Sequence, residues 1–176
     1  MLERGLEEIR RSPKETGRVE LIVRRPEVET REVLREAELD PVEGLVGDCW
    51  RARGSGATED GSAHPDMQLT LMNARMAALV AGSRDRWPLA GDQLYVDMNL
   101  SYANIPPGTL VEVGSAVIEI TAEPHTGCGK FIKRFGVDAQ RFVNTGTSRE
   151  LNLRGIYARI VAAGTVRTGD PIRKTA

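Results

Sequence analysis

The sequence contains few of the residues that mark the most easily recognised protein classes. Two of its 176 residues are cysteine, two are histidine, and 5% are aromatic. Two cysteines are too few for the disulfide framework of a small secreted domain. Trp50 and Trp87 are the large aromatic surfaces outside the candidate core, which argues against stacking on nucleic-acid bases.

An excess of charge and long apolar segments are also missing. Lys and Arg total 24 against 25 Asp and Glu, so a general polyanion-binding surface is not indicated. The chain has no apolar run of about 20 residues, the length that crosses a bilayer, and its N-terminus has no secretory pattern. We therefore expect one domain over residues 1–176 with free thiols, located in the cytoplasm and associated with neither nucleic acid nor membrane.

Several motifs that identify common enzyme classes are absent. The sequence has no Walker phosphate loop, no Rossmann fingerprint and no Gly-x-Ser-x-Gly nucleophile elbow. Of the four thiol and imidazole side chains, His125 and Cys128 have a workable local spacing for zinc. Cys49 and His64 are separated by a loop and match no compact knuckle, which argues against a structural zinc site. The function must therefore be sought in a less common class.

Short strands separated by Gly and Pro turns dominate the pattern. Strands are predicted over residues 19–23, 68–72, 94–96, 109–113, 116–121 and 153–163, and helices over 2–11, 73–80, 130–135 and 138–142. Residues 27–39 favour a short helix running into irregular structure, and 53–66 and 144–148 favour loops. This combination predicts a mainly β, α+β fold, either a β-barrel or a folded sheet decorated by short helices.

The most distinctive segment surrounds Cys128, which lies between Gly127 and Gly129. His125 precedes it by three residues, and the short basic helix predicted over 130–135 follows it. Cationic neighbours favour the thiolate, which is the nucleophilic and metal-binding form of cysteine. The alternative is a buried structural cysteine in a glycine-rich turn, the commoner role of this residue type. The residue pattern leaves both open.

The neighbours of Cys128 indicate how a thiolate would be used. Lys130 and Arg134 are one turn apart on the predicted helix, so both charges can face one anion. His125 can act as a base or as a hydrogen-bond donor. Together these residues suit an anionic or metal-oxo group held beside a thiolate.

Other polar residues have a functional and a simpler interpretation. Asp48 fits a turn in which its carboxylate binds nearby backbone groups. Asn99 and Ser101 follow a predicted strand and can line a pocket, or Ser101 can cap a short helical turn. Cys49 fits a packing or capping role, since the nearest basic residue in the sequence is Arg51 and no other cation lies close enough along the chain to favour its thiolate.

The order of these motifs resembles the MOSC domain, the module named after the C-terminal part of molybdenum cofactor sulfurases. The resemblance covers about residues 19–172 and leaves residues 1–16 as an N-terminal helical extension. It rests on an ordered series rather than on one motif. The series comprises Gly44 to Asp48, Asn99-Leu100-Ser101, Pro107-Gly108, Val113-Gly114, Glu123-Pro124 leading to Cys128 and Lys130, Leu153 to Ile160, and Gly164 to Asp170.

The resemblance implies a MOSC-like β-barrel and an association with the molybdenum cofactor (molybdopterin). In the family, the cysteine that corresponds to Cys128 is regarded as contacting molybdenum or carrying sulfur. This makes Cys128 and His125 the catalytic candidates and Cys128 the metal ligand. The candidate cofactor-binding residues are Lys130, Arg134, Asn99, Ser101 and Asp48. Gly127 stands where the family often has proline.

Two functions agree with this resemblance. The first is an enzyme or enzyme component that uses the Cys128 thiolate for cofactor ligation or sulfur transfer, with reduction of N-hydroxylated substrates beside a redox partner as one form. The second is a non-catalytic carrier of cofactor or persulfide. No pyridoxal phosphate is expected, because the chain has no room for an aminotransferase-like domain, so sulfur would come from a donor protein. A structural β-domain that binds another small anion is a third reading, and an oligomer is left open.

Overall fold

The chain folds around a closed barrel of β-strands. The computed structural model describes residues 2–175. Its strands are β1 (Thr16–Arg24), β2 (Glu32–Leu34), β3 (Glu36–Asp40), β4 (Gly44–Leu45), β5 (Leu69–Asn73), β6 (Leu94–Asp97), β7 (Leu110–Val113), β8 (Ala116–Ile120), β9 (Ile156–Ala162), β10 (Gly164–Arg167) and β11 (Pro171–Lys174). The barrel order is β11-β7-β8-β9-β5-β6-β1, and pairing of β1 with β11 closes the ring. Strand β2 extends the barrel beside β1, and β10-β3-β4 form a second, small sheet.

Short helices cover one side of the barrel. They are α1 (Leu2–Arg10), α2 (Trp50–Arg53), α3 (Ala74–Ala81), α4 (Gly129–Phe135), α5 (Val137–Asn144) and α6 (Gly146–Glu150), with 3-10 helices at Pro65–Met67 and Arg84–Ala90. None of the described helices is long and apolar enough to cross a membrane. The predicted mainly β fold with short helices is therefore confirmed.

Several local predictions are confirmed with their physical reasons. Asn73 caps α3, because its side chain accepts hydrogen bonds from the backbone N–H groups of Arg75 and Met76. Strands β7 and β8 pair as an antiparallel hairpin across Gly114 and Ser115. Helix α5 also forms, although Asp138 lies in its first turn rather than at its N-cap.

Two local predictions are wrong. Residues 27–39 contain no helix and instead supply β2 and most of β3. Helix propensity is overridden there because β2 pairs with β1 and β3 pairs with β10, and β3 alternates exposed and buried residues. The second wrong prediction is the loop at 144–148, because helix α6 begins at Gly146.

The apolar residues form two separate clusters. One fills the barrel with β-branched and Leu side chains, including Val19, Ile22 and Ile118. The other lies between the outside of the barrel and the helices, and includes Tyr95 and Phe131. This second cluster matters for function because Phe131 anchors α4, the helix that follows Cys128, against the barrel.

Candidate functional site

A cationic cavity of about 190 Å³ opens between the barrel and α4. Its wall contains Cys128, His125 and Tyr157, and among the described residues that line it there is no carboxylate. Six cationic side chains line it: Arg25, Arg31, Arg53, Lys130, Arg134 and Arg154. Such a concentration of positive charge around one cavity favours an anionic ligand.

Arg25 is held in the cavity wall by a buried carboxylate. Its guanidinium donates two hydrogen bonds to Asp48, from Nε to Oδ1 at 2.9 Å and from Nη2 to Oδ2 at 2.7 Å. Burial opposes the charge on Arg25, but its hydrogen bonds and Coulomb attraction to Asp48 raise its pKa overall. Asp48 also accepts from the backbone N–H groups of Arg25 and Trp50, at 2.8 and 3.0 Å. The prediction that Asp48 binds nearby backbone is confirmed.

Arg154 is held in the same way by Asp92. Its Nη1 donates to Oδ2 of Asp92 at 2.7 Å and its Nη2 donates to the carbonyl of Ala90 at 2.9 Å. Its guanidinium carbon lies 5.1 Å from the centre of the Phe131 ring, a cation–π distance. Arg154 therefore connects the barrel to α4 directly behind Cys128.

Cys128 is exposed and precedes the first turn of α4. Partial burial opposes thiolate formation, but the backbone N–H groups of Phe131 and Lys130 and the charge of Arg154 outweigh it, so the pKa of Cys128 is lowered. The alternative of a buried structural cysteine is therefore wrong. Cys49, in contrast, is buried, as its predicted packing role requires.

The cations of α4 are held from outside the cavity. Lys130 and Arg134 both form ion pairs with Glu29, the Lys130 Nζ–Glu29 Oε1 distance being 2.5 Å. Hydrogen bonds from Lys130 and Arg134 lower the pKa of Glu29 to about 2. Glu29 has a positive φ of 69°, a backbone conformation that residues other than Gly and Asn rarely adopt.

Arg31 shows the repulsion among these cations. It donates to the carbonyls of Pro88 and Thr30, at 3.2 and 2.8 Å, rather than to a carboxylate. Burial, followed by the nearby charges of Arg134 and Arg25, lowers its pKa. A bound anion would relieve this repulsion.

His125 lies against the buried end of the cavity. Its side chain is 9% exposed, and its Nδ1 is 3.7 Å from Oδ1 of Asp92. The ring packs on Tyr157 with centroids 4.5 Å apart. Burial, and then the charges of Arg154 and Arg25, lower its pKa far below the ordinary value, so the imidazole is neutral at neutral pH.

Gly127 ties the segment before Cys128 to α5. Its N–H donates to Oδ1 of Asn144 at 3.0 Å, and its carbonyl accepts from the Asn144 amide at 3.3 Å. A Cβ at this position would lie 3.0 Å from a methyl group of Val143. The glycine that replaces the common family proline thus supplies a donor that proline lacks.

The predicted site residues fall into three groups. Cys128, His125, Lys130 and Arg134 line the cavity together, while Asp48 lies behind it and positions Arg25. Asn99 and Ser101 do not line the cavity. The Asn99 side chain accepts from the Ser101 N–H at 3.0 Å, and the cofactor-binding roles predicted for these two residues remain predictions.

Sequence reasoning missed most of the charged wall. The missed residues come from separate parts of the chain, and no local pattern connects them. Arg25 and Arg31 lie between β1 and β2, Arg53 ends α2, and Arg154 and its partner Asp92 precede β9 and β6. One weak signal exists in the sequence: a glycine directly precedes each of the two carboxylates that hold Arg25 and Arg154, Gly47 before Asp48 and Gly91 before Asp92. Turns of this kind are common, so the signal by itself does not indicate a site.

A separate cluster contains His64, Asp66 and Glu123, whose potential ligand atoms lie within 4.8 Å of one another. The Nδ1 atom of His64 accepts a hydrogen bond from the backbone N–H of Asp66 at 3.1 Å. The neutral imidazole therefore carries its hydrogen on Nε2, which leaves no free lone pair for a metal. The His64 side chain thus caps the 3-10 helix at Pro65–Met67.

Solved structures with the same fold support the barrel assignment. YuaD of Bacillus subtilis aligns with a TM-score of 0.65 and 19% identity, over 89% of this chain and 94% of that one. YiiM of Escherichia coli aligns with a TM-score of 0.57 and 20% identity, over 90% of this chain and 70% of that one. YiiM of Geobacillus stearothermophilus gives a TM-score of 0.56 at 11% identity, with coverages of 91% and 73%. At these identities the likeness concerns the fold.

The sequence itself identifies the family. No curated protein matches the chain. A family model described as the MOSC domain, however, matches residues 62–173, which hold β5 to β10, Cys128 and most of the cavity wall. MOSC domains are associated with the molybdenum cofactor. The chain therefore belongs to the MOSC domain family.

Proposed function

We propose that the cavity beside Cys128 binds the molybdenum cofactor and that the Cys128 thiolate is the protein ligand to molybdenum. The observation that carries the proposal is an exposed thiol of lowered pKa in the wall of a cavity with six cationic side chains. A soft thiolate suits a metal that is bound through sulfur, and the cations suit phosphate and oxo groups.

The donor set of the cavity fits such a group. Lys130, Arg134 and Arg31 are available to neutralise anionic oxygens, while Arg154 favours the thiolate form of Cys128. The volume of about 190 Å³ is below the roughly 300 Å³ at which pockets begin to enclose drug-sized ligands. We therefore expect the cavity to enclose the anionic part of the cofactor rather than all of it. When bound, the cofactor would supply two-electron or sulfur-exchange chemistry.

In the enzymatic form of this proposal, the protein reduces N-hydroxylated substrates with a redox partner. The partner supplies two electrons and solvent supplies two protons, so that the N–O bond breaks, an N–H bond forms and the oxygen leaves as water. The role of the chain is to hold the thiolate, to balance negative charge and to limit access of water to the cavity.

Metal analysis tests the ligation. The protein is incubated with isolated molybdenum cofactor, desalted and analysed for molybdenum beside C128S and C49S. We expect retained molybdenum in the wild type and in C49S, since Cys49 is buried away from solvent, and its loss in C128S. Equal molybdenum in C128S and the wild type would show that Cys128 is not the ligand.

The exposure of Cys128 favours a second candidate function, that of a persulfide carrier. In this reaction the Cys128 thiolate attacks the outer sulfur of a donor persulfide. The donor S–S bond breaks, a new bond to Sγ forms and the donor leaves as a thiolate. Mass spectrometry after incubation with a persulfide donor should show one added sulfur atom, lost in C128S and kept in C49S. Retained molybdenum without substrate turnover would favour a cofactor carrier over an enzyme.

A further inference from the structure

Three buried polar atoms without partners meet at the inner end of the cavity. They are Oδ1 of Asp92, Nδ1 of His125 and Nε of Arg154. Buried polar atoms are almost always paired, and those that are not need a specific explanation. Here the first two face each other at 3.7 Å, about 0.7 Å beyond an ordinary hydrogen bond. A small movement of the two side chains towards each other would form one hydrogen bond between Nδ1 and Oδ1 and give both atoms a partner.

The charge of this pair is set by Arg154. A guanidinium keeps its proton at neutral pH, and the bond between Arg154 and Oδ2 of Asp92 is 2.7 Å long. Burial raises the pKa of Asp92, against the charge and the hydrogen bond of Arg154. A neutral Asp92 would, however, leave this buried cation without its counter-charge. Asp92 is therefore a carboxylate, and its free oxygen accepts hydrogen bonds but cannot donate one.

We infer that Asp92 is a positioning residue, which fixes His125 in the tautomer with hydrogen on Nδ1 and turns the Nε2 lone pair towards the cavity. Nδ1 is the ring nitrogen that is fully buried opposite the carboxylate. His125 also lines both the Cys128 cavity and a second cavity of about 170 Å³ behind it. The ring edge that carries Nε2 is the one left to face these spaces.

The surrounding backbone permits this pairing and limits the alternatives. Gly155 has a φ of 111°, and a Cβ there would lie 3.2 Å from both Asp92 Oδ1 and His125 Nδ1 and 2.4 Å from the carbonyl of Leu71. The Tyr157 ring packs against the imidazole. The glycine thus leaves room for the carboxylate and the imidazole to meet, and the tyrosine holds the ring plane.

This assignment deepens the proposed function and rests on it for its ligand. The cations of the cavity can only donate hydrogen bonds, whereas a neutral His125 with a free Nε2 accepts one. His125 would therefore recognise an O–H or N–H group of a ligand beside its anionic group. Because burial and the charge of Arg154 disfavour its protonated form, it serves as an acceptor rather than as a strong base.

Nitrogen NMR of the histidine rings tests the inference without any cofactor, so its failure is distinguishable from failure of molybdenum ligation. The chain has two histidines, and H64Q and H125Q assign their signals. His64 is an internal reference, because its Nδ1 accepts from a backbone N–H and its hydrogen must be on Nε2. We expect the wild type to show opposite tautomers, with unprotonated Nδ1 in His64 and unprotonated Nε2 in His125.

The variant D92N sharpens the test. An Asn at this position can still accept from Arg154 while its amide donates to Nδ1 of His125. The unprotonated nitrogen signal of His125 should then move from Nε2 to Nδ1, with His64 unchanged. A loss of packing alone would not exchange the tautomers. Hydrogen on Nε2 of His125 in the wild type, an imidazolium, or a folded D92N with an unchanged tautomer would each overturn the inference. If D92N does not fold, the wild-type spectrum still decides.

Discussion

The cations around Cys128 are held in two different ways. The inner cations, Arg25 and Arg154, have side chains that are 8% exposed, and each is paired with a carboxylate that is 0% exposed. These carboxylates belong to Asp48 and Asp92, in loops beside β4 and β6. Charges removed from water in this way depend on their partners, so the inner cations are fixed parts of the wall.

The outer cations, Lys130 and Arg134, share one partner at the surface. Glu29 is about half exposed and contacts both; Lys130 is exposed, while Arg134 is half-buried and also donates to the carbonyl of Leu89. Exposed ion pairs contribute little to stability and exchange easily. The difference indicates a division of roles, in which the inner cations shape the cavity and tune the thiol while the outer cations remain available to a ligand.

The largest expected effect comes from breaking an inner pair. D48A leaves the buried guanidinium of Arg25 without a counter-charge and removes four hydrogen bonds. We expect the free energy of unfolding to fall by about 3–5 kcal/mol, measured by urea denaturation. E112Q, which breaks the exposed pair with Arg173, is the matched control, with an expected change of about 0–1 kcal/mol. Equal effects would remove the distinction between buried and exposed pairs.

The thiol of Cys128 should respond to an inner cation and not to the outer ones. The charge of Arg154 lowers its pKa, and Lys130 acts on it through its backbone N–H. The alkylation rate at Cys128 should therefore rise with pH at lower values than for an ordinary thiol. R154Q should shift this profile to higher pH, and the double variant K130Q/R134Q should shift it less. R154K tests whether charge alone restores the profile.

Peptide mapping of the alkylated protein completes this test. Native Cys49 should react slowly because it is buried. Circular dichroism shows whether R154Q keeps its fold. A larger shift in K130Q/R134Q than in a folded R154Q would reverse the proposed roles of the two sets.

The sequence determines those parts of the fold that depend on neighbouring residues. The Asn73 cap, the turn at Gly114 and Ser115, and the end of α4 at Gly136 can all be read from local chemistry. The strands in residues 27–39 cannot, since β2 forms only by pairing with the preceding strand β1, and β3 forms against β10, which is distant in sequence. Long-range pairing here overrides a local preference for helix.

The candidate site divides along the same line. Cys128, His125, Lys130 and Arg134 lie within ten residues, and their proximity is visible in the sequence. Arg154 pairs with Asp92 across 62 positions, and Arg25 pairs with Asp48 across 23. Arginines are common on surfaces, and only the closed barrel shows which of them line a cavity.

A smaller effect is expected at Gly127, which holds the Cys128 segment to α5. G127P removes the N–H that donates to Asn144 at 3.0 Å, while G127A keeps it and adds a Cβ at 3.0 Å from a methyl group of the buried Val143 side chain. Loss of the hydrogen bond should lower the free energy of unfolding by about 0.5–1.5 kcal/mol in G127P beyond the change in G127A. Equal changes in the two variants would show that the steric contact matters and the hydrogen bond does not.

The smallest effect should come from the outer cations and their shared carboxylate. Glu29 has a pKa of about 2 against an ordinary 4.5. The stabilisation from its ion pairs is therefore full above pH 4.5 and is lost as the pH falls through about 2. At neutral pH Glu29 competes with any anionic ligand for Lys130 and Arg134. E29Q removes this competition, so phosphate, used as a probe, should bind a few-fold more tightly in calorimetry.

E27Q makes the same change of charge in the same loop, at a residue that contributes its backbone carbonyl to a turn. It should leave phosphate affinity nearly unchanged, because its side chain forms no ion pair with the cavity cations. A general reduction of negative charge would strengthen binding equally in both variants. If E29Q binds phosphate no more tightly than E27Q, Glu29 does not compete for the outer cations, and these would be as fixed as the inner ones.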